Sequence, residues 1–247
     1  VLYLALEGVP ASTGLAIHDA ISDAAHTHEQ AGVDLKFGLA EFHTTAQSFP
    51  LQNGEIFGSA NDIDLSLNQY LADQASSTGP VSFEAALELA ASVFSQDMQN
   101  VADQSPEVLK QSLYRLVFLT SVGDSSCFAT GGGIGFCGVQ GSTNTQSGLC
   151  NPAEHPSITD PEMCVIGNSA ESVSMLNQRF APASLMIEPI YIVDPANPDP
   201  TGLSGVGVKY NQNTIDQLQI LALVGNSILR VSGTDELAAD LKGAVVY

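Results

Sequence analysis

Apolar residues along the chain fall into two kinds of run that alternate. Val1-Leu-Tyr-Leu-Ala-Leu6, Leu35-Lys-Phe-Gly-Leu-Ala-Glu-Phe42, Leu113 to Val122 and Leu185 to Val193 are nearly unbroken apolar segments. Such runs suit strands buried on both faces of a sheet. Between them the apolar positions recur at helical spacing. Ser82 to Val101 is the clearest case: Phe83, Ala86, Leu87, Ala90, Phe94 and Met98 fall on one side, and Ser82 stands where a helix cap belongs. Glu84, Glu88, Gln96 and Asn100 are expected on its wetter sides.

Further helices are predicted over Leu15 to Ala31, over Asn61 to Ala75 with Asn61 or Asp62 as cap, in a short turn beginning at Pro106, and over Ser169 to Phe180, Asn213 to Val224 and Thr234 to Leu241. Short strands are predicted near Gln47 to Leu51 and Ser227 to Val231. Pro189 argues for an edge, bulge or irregularity in its strand. The alternation predicts an α/β fold with a mainly parallel central sheet, the first strand central, and helices on both faces. It is read as a single domain over 1–247, with a Cys/Gly-rich excursion inserted at about 123–167.

Composition changes the picture in one respect. The 247 residues carry 27 acidic and 7 basic side chains, a formal charge of −20, yet charged residues are only 14% of the total. The imbalance comes from missing Lys and Arg, so the solvent face is built largely of Ser, Thr, Asn and Gln. A nucleic-acid binder working by phosphate neutralisation is excluded, because it needs a basic face. The pattern points to a secreted or surface protein, ahead of an ordinary acidic cytosolic domain or a salt-adapted one. No apolar run is long enough for a membrane span. Neither end reads as a leader, and both apolar termini are expected to be cuts from a longer chain.

All four cysteines, Cys127, Cys137, Cys150 and Cys164, fall within 38 residues, with no CxxC or Cys/His spacing that would suggest zinc. They are expected to form two disulfides that staple the excursion, which supports export. Three pairings are open; the shortest closing loops favour Cys127–Cys137 with Cys150–Cys164. Thr130-Gly-Gly-Gly-Ile-Gly within the excursion lacks the lysine and the following helix of a phosphate loop. No Gly-x-Ser-x-Gly elbow occurs. His18, His26, His28 and His43 are close in sequence, but His26 and His28 point to different sides of a helix, so solvated or capping roles are expected. The pairs Asp62 with Asp64 and Glu84 with Glu88 read as helix surface rather than as an acid/base pair.

Four places together resemble the von Willebrand factor type A domain. They are Val1 to Gly8 with its following loop and helix; Thr78-Gly-Pro-Val-Ser-Phe-Glu-Ala-Ala-Leu87; Leu116-Val-Phe-Leu-Thr-Ser-Val-Gly-Asp-Ser-Ser-Cys127; and the closing helix–strand–helix over Ile215 to Leu241. A cysteine just after the acidic loop on the central strand is similar to a secreted bacterial branch of that family. The resemblance implies a metal-ion-dependent adhesion site, in which an Asp-x-Ser-x-Ser loop, a Thr and an Asp hold Mg²⁺ or Ca²⁺ at the carboxyl ends of parallel strands. This chain departs from it at each part. Leu6, Val81 and Ser121 stand at expected ligand positions, and Glu7, Ser12, Thr78 and Asp124 are displaced candidates. The expectation is a degenerate site with little or no metal, in a non-enzymatic extracellular module for adhesion or homotypic assembly. Its partners are itself or other surface proteins. A secreted or periplasmic enzyme, or a small-ligand binding protein, with its site at the same strand ends is the alternative.

Overall fold

A computed structural model describes residues 1–7, 14–49, 51, 54–73, 81–124, 161–193, 212–233 and 236–245. The central strand is β1 (Leu2–Glu7), buried at every position. It is followed by α1 (Gly14–Gln30), β2 (Phe37–Phe42), β3 (Ala46–Ser48), α2 (Ala60–Asp73), α3 (Phe83–Gln104) and the single turn α4 (Pro106–Leu109). Then come β4 (Leu113–Thr120), α5 (Pro161–Phe180), β5 (Ser184–Val193), α6 (Gln212–Val224), β6 (Arg230–Gly233) and α7 (Leu237–Val245).

The sheet has six strands in the order β3-β2-β1-β4-β5-β6. All neighbouring pairs are parallel except β2 with β3. The parallel sheet with a central first strand is therefore as the sequence predicts. Because side chains alternate across a strand, β1 feeds two cores. Leu2, Leu4 and Leu6 pack with Ile17 and Ile21 of α1, Ile63 and Leu67 of α2, and Leu237 and Leu241 of α7. Tyr3 and Ala5 face the opposite side, with Phe83, Leu87 and Phe94 of α3, Val173 of α5 and Leu218 of α6. Mainly parallel strands with helices on both faces give a Rossmann-like, von Willebrand A-like arrangement.

Several local expectations shift. Helix α2 begins one residue after Ser59, and Asp62 is not its cap. Its carboxylate instead accepts from the Ser59 amide at 2.8 Å, which is the N3 half of a capping box, and from the Ser59 hydroxyl at 2.7 Å. These bonds hold the Asp62 carboxyl below its ordinary range. Ser82 does cap α3, accepting from the Ala85 amide at 3.2 Å. Glu84, expected on a wetter side, is buried. Helix α5 starts at Pro161, so the predicted excursion ends earlier than Gly167 and Cys164 sits on a helix. The rest of the excursion lies outside the described residues.

Pro189 is not on an edge strand, since β5 lies between β4 and β6. The Ile187 amide points to the β6 side, where it donates to Gly225 O at 3.2 Å. Two residues on, the missing donor of Pro189 faces the same way, and β6 begins pairing only at Ile190. The proline thus falls just short of the ladder that would need its N–H. Gly225 makes the close approach possible: a β-carbon there would come within 2.5 Å of the Ile187 Cβ and 2.7 Å of its carbonyl oxygen.

One polar cluster lies inside the sheet. Arg115 on β4 and Glu188 on β5 are both buried, with Nη1 and Oε1 3.6 Å apart. Arg115 also donates to the Ala244 carbonyl, and Arg230 of β6 donates to Gly243 O at 3.2 Å. Two guanidinium groups therefore meet the last carbonyls of α7, where a helix presents its negative pole. They fasten α7 to the sheet. Burial raises the Glu188 carboxyl above its ordinary range, against the pull of Arg115 and Arg230.

Candidate functional site

In the order β3-β2-β1-β4-β5-β6 the chain reverses direction across the sheet between β1 and β4. Open parallel sheets place their ligands at that point, outside the carboxyl ends of the strands. Glu7 ends β1, His43 follows β2, and Ser121 to Asp124 follow β4. The first residues of α3 lie over the same end.

Alternation along β1 decides which side chain arrives. Leu6, at the position where the family resemblance expects an aspartate, turns into the apolar core of α1 and α2. Val81 is likewise buried in the opposite core. Glu7, one residue further, turns to the α3 side, where it is buried with Oε1 2.7 Å from Nδ1 of His43. Its second oxygen, Oε2, is buried without a hydrogen-bond partner. The hydrogen bond and the charge of Glu7, with a smaller contribution from Glu41, raise the His43 pKa above its ordinary value despite burial.

Asp124 is buried and engaged on three sides. Its Oδ2 accepts from the Phe83 amide at 2.6 Å, so the carboxylate sits on the positive end of α3. Its own amide donates to Gln217 Oε1 at 2.8 Å, and its carbonyl accepts from Gln217 Nε2 at 3.2 Å. Ser82 N donates to His43 O at 2.7 Å, and Ser121 N donates to Glu7 O at 3.3 Å. Glu7, His43, Ser82, Phe83, Ser121, Asp124 and Gln217 thus tie β1, β2, β4, α3 and α6 together at one end of the sheet.

Of the predicted ligand set, the structure brings Glu7 and Asp124 to this end. Ser12 and Thr78 lie outside the described residues. So do Cys127, Cys137 and Cys150, and the side chain of Cys164, hence the expected disulfides. Among the described residues no group of three or more His, Cys, Asp or Glu side chains is placed to hold a metal ion. The chemistry available is an imidazole–carboxylate pair between His43 and Glu7 and a carboxylate already used as a helix cap. Two participants were not expected from the sequence. His43 reads there as solvated or capping, and Gln217 reads only as part of a helix; neither carries a local motif.

Two further histidines make contacts within their own helix. His28 Nδ1 lies 2.8 Å from Ala24 O and His26 Nε2 lies 2.7 Å from Gln30 Nε2, both within α1. His18 reaches across to α2, with Nε2 3.2 Å from Asp64 Oδ2.

Replacing Glu7 by Gln removes the charge that holds the His43 proton. The imidazole pKa is expected to fall toward the ordinary ~6.5. In the native protein the raised pKa contributes stability that is full below the unfolded value and is lost as pH rises through the folded value. Glu7→Gln should flatten that loss. Titration of the His43 ring resonances by NMR, with denaturant midpoints measured across the same pH range, checks both; an unmoved His43 titration would remove the pair from the account.

No protein-family model and no curated protein sequence matches the chain. Solved structures do. The pilus adhesin SpaC from Lactobacillus rhamnosus GG, in its open conformation, superposes with a TM-score of 0.52 at 12% identity, over 99% of this chain and 29% of that one. An aerotolerance-related membrane protein from Bacteroides fragilis superposes with a TM-score of 0.50 at 14% identity, over 99% of this chain and 97% of that one. Proximal thread matrix protein 1 from the mussel byssus matches at 10% identity with a TM-score of 0.48, and this chain spans 46% of its length. At these identities the likeness is one of fold. It defines the class of architecture, an α/β domain with a mainly parallel sheet between layers of helices.

Proposed function

We propose that the chain is a non-enzymatic extracellular module for adhesion or homotypic structural assembly at a cell surface. The observation that carries this reading is the use made of the acidic groups at the carboxyl ends of the strands. Glu7 is engaged by His43 and Asp124 by the α3 amide and Gln217. Among the described residues, the two acidic groups at these strand ends take part in contacts that join β1 to β2 and β4 to α3 and α6. This favours a building block over a metal-dependent receptor or an enzyme.

Composition supports the same reading. A chain at −20 with only seven cations repels its like unless apolar contacts or bound cations offset the charge. No helix among the described residues is long and apolar enough to cross a membrane. In this reading Glu7, Ser12, Thr78 and Asp124 form at most a degenerate cation site for Mg²⁺ or Ca²⁺. Cys127, Cys137, Cys150 and Cys164 staple the insertion as disulfides, as an exported module allows.

Sedimentation across a series of salt and Ca²⁺ concentrations is the test. Homotypic association, strengthened as screening rises, is the expected result. A single 25.8 kDa species under all conditions would sink the assembly half of the proposal. Calorimetry showing a micromolar Mg²⁺ site abolished by Glu7→Ala or Asp124→Ala would replace the building block with a metal-dependent receptor.

A further inference from the structure

Strand β6 is the outermost strand on its side of the sheet among the described residues. Alternate backbone N–H and C=O groups of Arg230–Gly233 therefore face away from β5. Around this edge the surface is apolar. Leu223 at the end of α6 is 81% exposed, Ile228 is 63% exposed and Val231 on the strand itself is 44% exposed. Leu223 and Ile228 are themselves walls of an open groove of about 400 Å³, which Met186, Glu188, Ser227 and Arg230 also line.

Charge distinguishes this face. From Gln217 to Gly233 the sequence holds no Asp or Glu and a single cation, Arg230, in a chain with 27 acids. The surface continues onto α5, where the Ser174 hydroxyl donates to Val224 O at 3.0 Å and residues Ser172 to Ile187 are again free of acids. The one acidic wall of the groove is Glu188, which Arg115 and Arg230 oppose, so two copies at −20 can meet here with little carboxylate repulsion. An isologous twofold contact would set this apolar rim, Leu223 and Ile228 included, against the same rim of a second copy.

We infer that the β6 edge is the surface on which a second copy of this chain docks, β6 against β6 in antiparallel register, with the exposed Leu223, Ile228 and Val231 of each copy buried in the seam. This rests on the homotypic-assembly reading and assigns the surface that reading needs. The turn that leads from α6 toward β6 is pinned: the Ser227 hydroxyl donates to Ile187 O, Ser227 N donates to Ala222 O at 2.9 Å, and Gly225 is in close contact with Ile187.

The experiment combines sedimentation equilibrium of the full chain with amide hydrogen exchange at low and high protein concentration. Native protein should self-associate, and the amides of Arg230–Gly233 should gain protection as concentration rises. Ile228→Asp and Val231→Asp set like charges against each other across the twofold. Each should raise the dissociation constant by roughly 100-fold or more, while thermal unfolding stays close to native because both positions are exposed. Association that survives both substitutions, with no concentration-dependent protection at β6, overturns this surface and leaves the assembly reading standing. A native chain that stays monomeric throughout the concentration and salt series overturns both. The exchange measurement uses native protein, so the inference stays testable even if a variant folds poorly.

Discussion

Arg115→Met should cost about 3–5 kcal/mol of stability at neutral pH. The guanidinium is the near counter-charge of a buried carboxylate, Glu188, and a donor to the last carbonyl of the α7 core contact, Ala244. Removing it leaves the Ala244 carbonyl without this donor and the buried Glu188 with only the more distant Arg230. The effect should depend on pH in a defined direction. Burial already raises the Glu188 carboxyl, and loss of Arg115 raises it further. A carboxyl whose folded pKa lies above its unfolded one is harmless below the unfolded value, near 4.3, and increasingly costly as pH rises through the folded one. The penalty should therefore shrink toward acid pH. Arg115→Met combined with Glu188→Leu should recover most of the loss, since an apolar pair needs no counter-charge. Guanidinium denaturation of both single variants and the double at two pH values measures this. A loss under about 1 kcal/mol for Arg115→Met would mean that water reaches the cluster.

Phe118→Ala should cost about 3–5 kcal/mol. The ring is fully buried on β4, with centroids 4.7 Å from Phe42 on β2 and 4.9 Å from Phe83, the first residue of α3. Those contacts lie directly beneath the hydrogen bond from the Phe83 amide to Asp124. The loss should therefore extend beyond a cavity. With Phe83 no longer seated, the amide-to-carboxylate bond should open more often, and its hydrogen exchange should accelerate beyond the change in global stability. Phe118→Leu should keep the bond and cost less. Equal exchange of the Phe83 amide in native protein and the Ala variant, after correction for global stability, would separate the aromatic cluster from the site.

The framework was legible because buried parallel strands leave long apolar runs and amphipathic helices leave spaced ones. Every strand of the sheet has a counterpart in the sequence reading, and Ser82 caps its helix as expected. What escaped was long-range or cryptic. Nothing near His43 in sequence indicates that its ring meets Glu7 at the end of another strand. Asp124 is 41 residues from the amide that it caps and 93 from the glutamine that holds it. Glu84 lies at the start of α3, so its burial reflects neighbouring elements and not its own periodicity. Pro189 sits in an interior strand because one short stretch of that strand has no partner on the side of the missing donor, a fact set by where β6 begins. Pro161 was the readable signal for an earlier start of α5, as a first-turn proline, and the surrounding cysteines drew the boundary too late.

The place of β1 between β2 and β4 has a consequence for biogenesis. Leu2 pairs with Phe37 on one side and with Arg115 on the other. The first partner emerges from the ribosome soon after β1, the second only after more than a hundred further residues, which at ordinary elongation rates is about 5–20 s. Through that interval one edge of the most apolar strand in the sheet is open, with its backbone donors and acceptors unmet. Closing so distant a pair is intrinsically slow. Aggregation of the chain is therefore expected to be decided during synthesis, before β4 arrives, more than by the stability of the finished fold.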